Sequence, residues 1–188
     1  MISEFEILKH LQNEMPHIME KVENLFGEKD ESWGFSGIRI CSDEDVPCVY
    51  YPRVEGKNIG ILISKSCIDD SDCIRAEWQL AHECVHLLSP DKNKGINANF
   101  LEEGMATYFQ DKYISDKYRR EFNYKEKYKK AKELYSEIHN INPHIIKKIR
   151  TEKCPNLKEM TKEILLEYCK GLKDDTAEAL IQSFYNEQ

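Results

Sequence analysis

The stretch LAHECVHLL, residues 80–88, places His82 and His86 four positions apart, with Glu83 directly after the first histidine. Its apolar residues recur with the spacing of a helix that is anchored in a core. Residues four positions apart lie on one helical face, so both imidazoles can reach a single metal ion. Neutral imidazole is a common zinc ligand, and the neighbouring glutamate can take a proton from water that the metal has acidified. We therefore expect one Zn²⁺ ion held by His82 and His86, with Glu83 as general base; two core histidines satisfied by backbone carbonyls are the alternative.

The next helical segment offers the third protein ligand that a zinc site needs. Asn99 and Glu102 fit an Asn variant of the capping box, so we expect the Glu102 side chain at the helix start. Glu103 lies about 100° further round the helix and is the predicted third ligand. Thr107, one turn later, is a candidate partner for an imidazole. Gly104 is small, as two helices require when they approach closely enough to share one metal.

The pattern H-E-x-x-H at residues 82–86, followed by E-G-x-A-x-Y at residues 103–108, resembles the gluzincin metallopeptidases. This group includes thermolysin and the aminopeptidase-N-like enzymes. The close match covers residues 75–113, about a fifth of the chain. Because the exopeptidase motif of the aminopeptidases is not found upstream, a small single-domain member of the clan is the better comparison. The resemblance implies an α+β, zincin-like fold: N-terminal helices and a small twisted sheet over an active-site helix and a glutamate helix, then a helical C-terminal part.

The same resemblance implies the role of each residue. His82, His86 and Glu103 would bind one zinc ion, and Glu83 would activate water for hydrolysis of a peptide bond in a peptide or protein substrate. Phage-repressor-type and SprT-like zinc proteases also resemble the first helix, but their glutamate helices differ. A catalytically silent zincin-fold binding or regulatory protein is the second hypothesis. The third is an amide hydrolase of the deformylase type, whose third ligand is an upstream cysteine; the candidates would be Cys41, Cys48, Cys67 and Cys73.

Hydrophobic periodicity predicts an order of helices, then a small sheet, then helices, which is an α+β layout. An N-terminal helical segment should be split at Pro16 and end at Gly27. Strands are predicted at residues 37–41, 47–51 and 59–64, with a turn at residues 55–58. Helices are predicted near residues 72–88, with Ser71 or Asp72 as cap, and near 99–113, 117–139, 143–152, 157–170 and 175–186. We expect a single domain over residues 1–188, with residues 1–113 as the upper part and 114–188 as the helical lower part.

Peptide hydrolysis also requires a donor for the developing oxyanion and a strand that receives the substrate. Tyrosine or histidine from a later helix usually supplies the donor; the candidates are Tyr108, Tyr124, His144 and Tyr168, and the sequence does not choose between them. In the gluzincins, the strand before the active-site helix is the edge strand that pairs with an extended substrate, and residues 59–64 hold that place here. Lys65 and Gly60 favour an edge only slightly, so the sequence leaves open whether this strand is an edge or an interior strand.

Composition excludes several classes of protein. The chain of 188 residues has a net charge of −7 and no long apolar run, so we expect a soluble cytoplasmic protein without a membrane span or signal peptide. Seven scattered cysteines without C-x-x-C indicate free thiols.

Residues 117–132 hold eight Lys or Arg and two Glu, net +6, which leaves −13 for the rest. A solvated helical face explains this stretch better than a nucleic-acid site, because no nucleic-acid motif accompanies it.

Overall fold

The computed structural model describes residues 2–41, 46–53, 55–68, 72–90 and 98–186. The elements in these ranges are α1 (Glu4–Phe26), β1 (Gly34–Cys41), β2 (Cys48–Tyr50), β3 (Asn58–Ser64), α2 (Ile74–His86), α3 (Phe100–Tyr118), α4 (Glu126–Ile141), α5 (Ile145–Glu152), α6 (Lys162–Tyr168) and α7 (Asp174–Ile181). Short 3₁₀ turns follow β3, precede α6 and follow α7. The predicted α+β class is confirmed. None of the helices in the described ranges is long and apolar enough to cross a membrane.

The N-terminal helix α1 is not split at Pro16, contrary to the prediction. It begins with a capping box between Ser3 and Glu6 and ends at Gly27, whose φ of 93° suits glycine. A proline inside a helix costs about 3 kcal/mol, whereas each fully buried aliphatic side chain contributes about 1.5–3 kcal/mol. Because α1 buries one continuous stripe on both sides of the proline, burial outweighs the lost hydrogen bond. The stripe consists of Ile7, Leu11, Ile18, Met19, Val22 and Phe26.

The three strands form one sheet in the order β1-β3-β2. Strand β3 pairs in parallel with β1 and antiparallel with β2, so it is the central strand. Its Ile59, Ile61 and Ile63 are buried, which explains this position. The structure thus makes β3 an interior strand, a point that the sequence left open. Among the described strands, β1 and β2 are the two edges of the sheet, and β2 is the one that pairs with β3 in antiparallel orientation.

Helix α2 is tied to the end of β3 and lies in the core. The backbone N–H of Ser64 donates to Gln79 Oε1 over 2.9 Å, and both residues are buried. Ser71, one predicted cap of α2, lies outside the described residues. The other, Asp72, precedes the helix, and its Oδ1 accepts the N–H of Ile74 over 3.1 Å. Leu80 and Cys84 face the core, which holds α2 in place under the sheet.

At Gly104, helix α3 lies against α4 rather than against α2. A Cβ on Gly104 would clash with the carbonyl oxygen of Ala131 and lie 2.8 Å from Cβ of Tyr135. The predicted reason for this glycine, a close contact with the active-site helix, is therefore wrong. Glycine is needed here because the backbone of α4 occupies the space.

The helix predicted at residues 117–139 is interrupted. Helix α3 continues to Tyr118, Arg119 adopts a left-handed conformation with φ of 56°, and α4 begins only at Glu126. The segment between the two helices is fastened by Asp111, which accepts hydrogen bonds from Trp78 Nε1, Tyr124 Oη and Lys132 Nζ over 3.1, 2.8 and 2.6 Å.

The basic stretch at residues 117–132 is consequently not one helical face. Several of its cations are paired within the chain, as in the ion pairs Lys117–Glu77, Arg120–Asp72, Lys129–Glu126 and Lys132–Asp111. The seven cysteines are all free thiols, as predicted, and four of them are buried.

A buried carboxylate joins α1, α2 and α3. The carboxylate of Glu77 is fully buried and accepts hydrogen bonds from His10 Nε2, Lys117 Nζ and Tyr118 Oη over 2.7, 2.5 and 2.7 Å. Burial alone would raise the pKa of Glu77, but the hydrogen bonds from Lys117, Tyr118 and His10 outweigh it and lower that pKa. The network therefore stabilises the packing of α2 only in the ionised form.

The change Glu77→Gln should lower the free energy of unfolding at neutral pH by about 2 kcal/mol, because it weakens hydrogen bonds to a buried charge. The folded-state pKa lies below the usual value of 4.5, so the contribution is present above that value and is lost as the pH falls through the folded-state pKa. Chemical denaturation of both proteins from neutral to acid pH should show that the difference between their free energies of unfolding disappears in acid. Glu20→Gln, at an exposed position on α1, is the control. If the difference in the free energy of unfolding persists unchanged in acid, the ionised network is contradicted.

The change Gly104→Ala should destabilise the protein, although alanine favours a helix by about 1 kcal/mol. The added methyl group meets backbone atoms of α4, and overpacking of this kind costs about 1–3 kcal/mol. Thermal and chemical denaturation measure the effect. Ser115→Ala, at an exposed position on the same helix, should be neutral or slightly stabilising. A more stable Gly104→Ala variant would show that the two helices are further apart.

Candidate metal centre

Helices α2 and α3 bring His82, His86 and Glu103 together, each with one ligand atom within 4.8 Å of the others. His82 Nε2 lies 3.2 Å from Glu103 Oε2, and His86 Nε2 lies 3.7 Å from Glu103 Oε1. Both histidines project from the same face of α2, as their spacing predicts. The three predicted ligands are thus neighbours, although Glu103 belongs to a different helix.

The spacing and the unmet bonding capacity of these atoms fit a metal ion. Ligand atoms at about 2.0–2.1 Å from a tetrahedral ion are roughly 3.3 Å apart. The 3.2 Å between His82 Nε2 and Glu103 Oε2 is close to that value, whereas His86 Nε2 lies 3.7 Å from the other oxygen, Oε1. Glu103 Oε2 is buried and accepts no hydrogen bond within the described part of the chain, because its contact with His82 lacks hydrogen-bond geometry. A buried acceptor without a partner costs about 1–3 kcal/mol, and a cation at this point would remove that cost.

The side chain of Glu102 does not serve as the second half of a capping box. Asn99 caps α3 as predicted, since its Oδ1 accepts the N–H of Glu102 over 2.9 Å. The Glu102 carboxylate instead turns to His86, whose Nδ1 donates to Oε1 over 2.9 Å. This bond keeps the imidazole proton on Nδ1 and directs the Nε2 lone pair at the cluster. The assignment of this side chain to the cap is therefore wrong, and Glu102 belongs to the site.

Thr107 was the predicted partner for an imidazole, and that prediction is wrong. Its hydroxyl is buried and makes no hydrogen bond with any described residue. Glu102 takes that role instead. The side chains of Glu102 and Glu103 both point from the first turn of α3 toward α2, where Glu102 bonds to His86.

The electrostatics of the cluster favour a bound cation. Three carboxylates (Glu83, Glu102 and Glu103) are buried beside the two imidazoles. Burial opposes a charge on His86, but the carboxylates of Glu103, Glu102 and Glu83 outweigh burial and raise the pKa of His86 to about 9. Burial raises the pKa of Glu83 as well, against the opposing effect of the imidazoles. Metal binding would therefore displace a proton from His86 and replace it with a larger charge.

Glu83 lies where two cavities meet. One, of about 310 Å³, is lined by the His82–His86 turn together with β2 and Tyr185. The other, of about 200 Å³, extends past Glu83 to Trp78 and Tyr124. Both share Pro47, His82, Glu83 and Tyr128, so the candidate centre opens into a continuous cleft.

No family model, curated protein or solved structure matches this chain. The chemistry of the site must therefore be judged from its own geometry. Histidines satisfied by backbone carbonyls, the ordinary-core alternative, do not describe it, because His86 is held by Glu102 and His82 faces Glu103. A cysteine ligand does not describe it either: the cluster contains none of the described cysteines.

Of the four predicted oxyanion donors, only Tyr124 lines either cavity beside Glu83. Tyr108 bonds to His139 over 2.8 Å and lines a third cavity, of about 490 Å³, which does not include Glu83 among its lining residues. His144 is exposed before α5, and Tyr168 ends α6 under the ammonium group of Lys148.

Two tyrosines that were not among the candidates contact the cluster. The ring of Tyr128 meets the ring of His82 edge to face, with centroids 5.9 Å apart, and Tyr185 Oη donates to Glu103 Oε1 over 3.1 Å. Helix α4 buries Ala131, Tyr135 and Ile138. Tyr128, near the beginning of the same helix, lines the cleft instead.

The change Glu102→Ala should weaken zinc binding about 10- to 100-fold, because the partner of a ligating imidazole fixes its tautomer and orientation. Competition with a chromophoric chelator measures the dissociation constant. Glu102→Gln, which retains an acceptor oxygen, should cause a smaller loss. Equal zinc affinity in Glu102→Ala and the unchanged protein would show that this contact does not support a metal site.

Proposed function

We propose that this protein is a zinc-dependent metallopeptidase with a zincin-like fold. The proposal depends chiefly on one observation: His82, His86 and Glu103, beside Glu83, each place one ligand atom within 4.8 Å of the others, and Glu103 Oε2 accepts no hydrogen bond from a described residue. The order of a long helix, a three-stranded sheet, an H-E-x-x-H helix and a glutamate helix supports it.

His82, His86 and Glu103 would hold the ion through two nitrogens and one oxygen, a donor set that suits Zn²⁺. When bound, the ion would polarise the scissile carbonyl and lower the pKa of the attacking water. The cavity adjoins all three of these side chains, so a peptide bound in the cleft would lie next to the ion.

Glu83 would accept the proton of the attacking water and pass it to the leaving amine. Its carboxylate lies next to His82 in the chain and lines both cavities. Burial raises the pKa of Glu83, which makes the carboxylate a stronger base than an exposed glutamate.

Tyr128 is the best-placed donor for the developing oxyanion. It lines both cavities beside His82 and Glu83. Burial, together with the negative charges of Glu103 and Glu83, raises the pKa of its phenol. The phenol therefore keeps its proton at neutral pH and can donate it in a hydrogen bond.

The substrate would be an extended peptide or protein segment that pairs with β2. Cys48 and Val49 of this strand line the cavity that contains the ligands. Backbone pairing to an edge strand tolerates many sequences, and cavities beside the strand add preference for particular side chains. Strand β2 takes the role that the sequence analysis gave to β3.

The change Glu83→Gln should leave stoichiometric zinc in place and lower kcat/KM for peptide hydrolysis about 10²- to 10⁴-fold, the usual contribution of a general base. Metal analysis and digestion of a proteome-derived peptide library test this. His82→Ala is the matched variant, because it should lose both metal and activity.

The outcomes separate the hypotheses. Purified protein that binds zinc but cleaves no peptide in the library would be a silent zincin-fold binding protein. Purified protein without affinity for zinc would contradict the metal site itself. If Glu103→Ala retained its metal, a deformylase-type site with another third ligand would replace the one proposed.

A further inference from the structure

We propose that Tyr185, from the C-terminal segment, is a positioning residue that orients Glu103 for metal binding; this inference builds on the metal site proposed above. Tyr185 Oη donates to Glu103 Oε1 over 3.1 Å, and the two residues are 82 positions apart in the chain. Glu103 Oε2 has no hydrogen-bond partner among the described residues and lies 3.2 Å from His82 Nε2. The phenol thus occupies one oxygen of the carboxylate and leaves the other directed at the cluster.

The C-terminal segment is fastened to the beginning of α3. The N–H of Phe100 donates to the carbonyl of Gln182 over 3.1 Å, and the N–H of Phe184 donates to the carbonyl of Ala98 over 2.8 Å. An antiparallel bridge joins Asn99 and Ser183 between them. The segment after α7 is therefore paired with the residues that precede Glu102 and Glu103.

Phe184 anchors the segment on its apolar side. Its ring is buried and packs against Phe100 and Tyr128, with centroids 5.1 and 4.9 Å away. The ammonium group of Lys127 lies 4.5 Å from the ring centroid. These contacts fix the backbone directly before Tyr185. The side chain of Tyr185 is therefore held next to Glu103, although the residue as a whole is 58% exposed.

The physical reason for such a contact is the flexibility of glutamate. Ordering a glutamate side chain costs conformational entropy, and a hydrogen bond made before the metal arrives lowers that cost at the moment of binding. Two of the three proposed ligands are then each oriented by one neighbour: His86 by Glu102, and Glu103 by Tyr185. Removal of such an outer partner typically weakens metal binding 10- to 100-fold.

The experiment compares zinc affinity in Tyr185→Phe and in the unchanged full-length protein by competition with a chromophoric chelator. Tyr185→Phe keeps the ring and removes only the donor, so zinc affinity should fall at least about tenfold, while the thermal stability of the metal-free protein should not change. Tyr108→Phe is the matched control: it removes a phenol that bonds to His139, away from the cluster, and should leave zinc affinity unchanged.

Two further measurements separate positioning from a general structural role. The absorption spectrum of the Co²⁺-substituted protein reports the ligand field, and it should change in Tyr185→Phe but not in Tyr108→Phe. In the background Glu103→Gln, the additional change Tyr185→Phe should have little further effect, because the group that it orients is no longer a carboxylate.

Unchanged zinc affinity in Tyr185→Phe would overturn the proposal. Tighter zinc binding would also overturn it, because the phenol would then obstruct the site. A loss of affinity in a protein that hydrolyses no peptide would support the role of Tyr185 and contradict only the peptidase function. Absence of zinc binding by the unchanged protein would overturn both.

Discussion

The interface between α2 and α3 must accommodate three buried carboxylates and two imidazoles within a few ångströms. Charged groups are stable in such a place only when each has a partner. Glu102 Oε1 accepts from His86 and Glu103 Oε1 accepts from Tyr185, but the second oxygen of each carboxylate accepts no hydrogen bond from a described residue. The remaining negative charge is what a divalent cation would balance. The contacts that hold α2 and α3 in place determine where those five side chains lie.

The surroundings hold the two helices by separate means. Apolar residues of α2 bury it under the sheet, and the network around Glu77 ties its first turns to α1 and to the end of α3. Gly104 lets α4 approach α3 closely, which brings Tyr128 to the cleft. The C-terminal segment then pairs with the start of α3. The centre is therefore assembled from elements that are far apart in the chain, around two residues that are four positions apart.

Local signals predicted the ends of several elements well, and they failed where packing decided. Asn99 caps α3 and Gly27 ends α1, because caps depend on a few neighbouring atoms. Pro16 was expected to break α1, but one continuous buried stripe outweighs a single missing hydrogen bond. The position of β3 in the sheet could not be predicted, since strand order depends on partners that a strand's own residues do not identify. The helix predicted from residue 117 is divided because Asp111 holds the segment before α4 in place.

The sequence by itself determined the pair His82 and His86 with Glu83 between them, because a helical period of 3.6 residues places such groups on one face whatever surrounds the helix. It also pointed to Glu103 near the start of α3, although Gly104 makes room for α4 and the Glu102 side chain is not part of the cap. Only the tertiary structure decided that Glu102 orients His86 and that Tyr128 and Tyr185 reach the cluster. Those contacts join residues on different elements, and their geometry follows from how the helices pack rather than from any spacing along the chain.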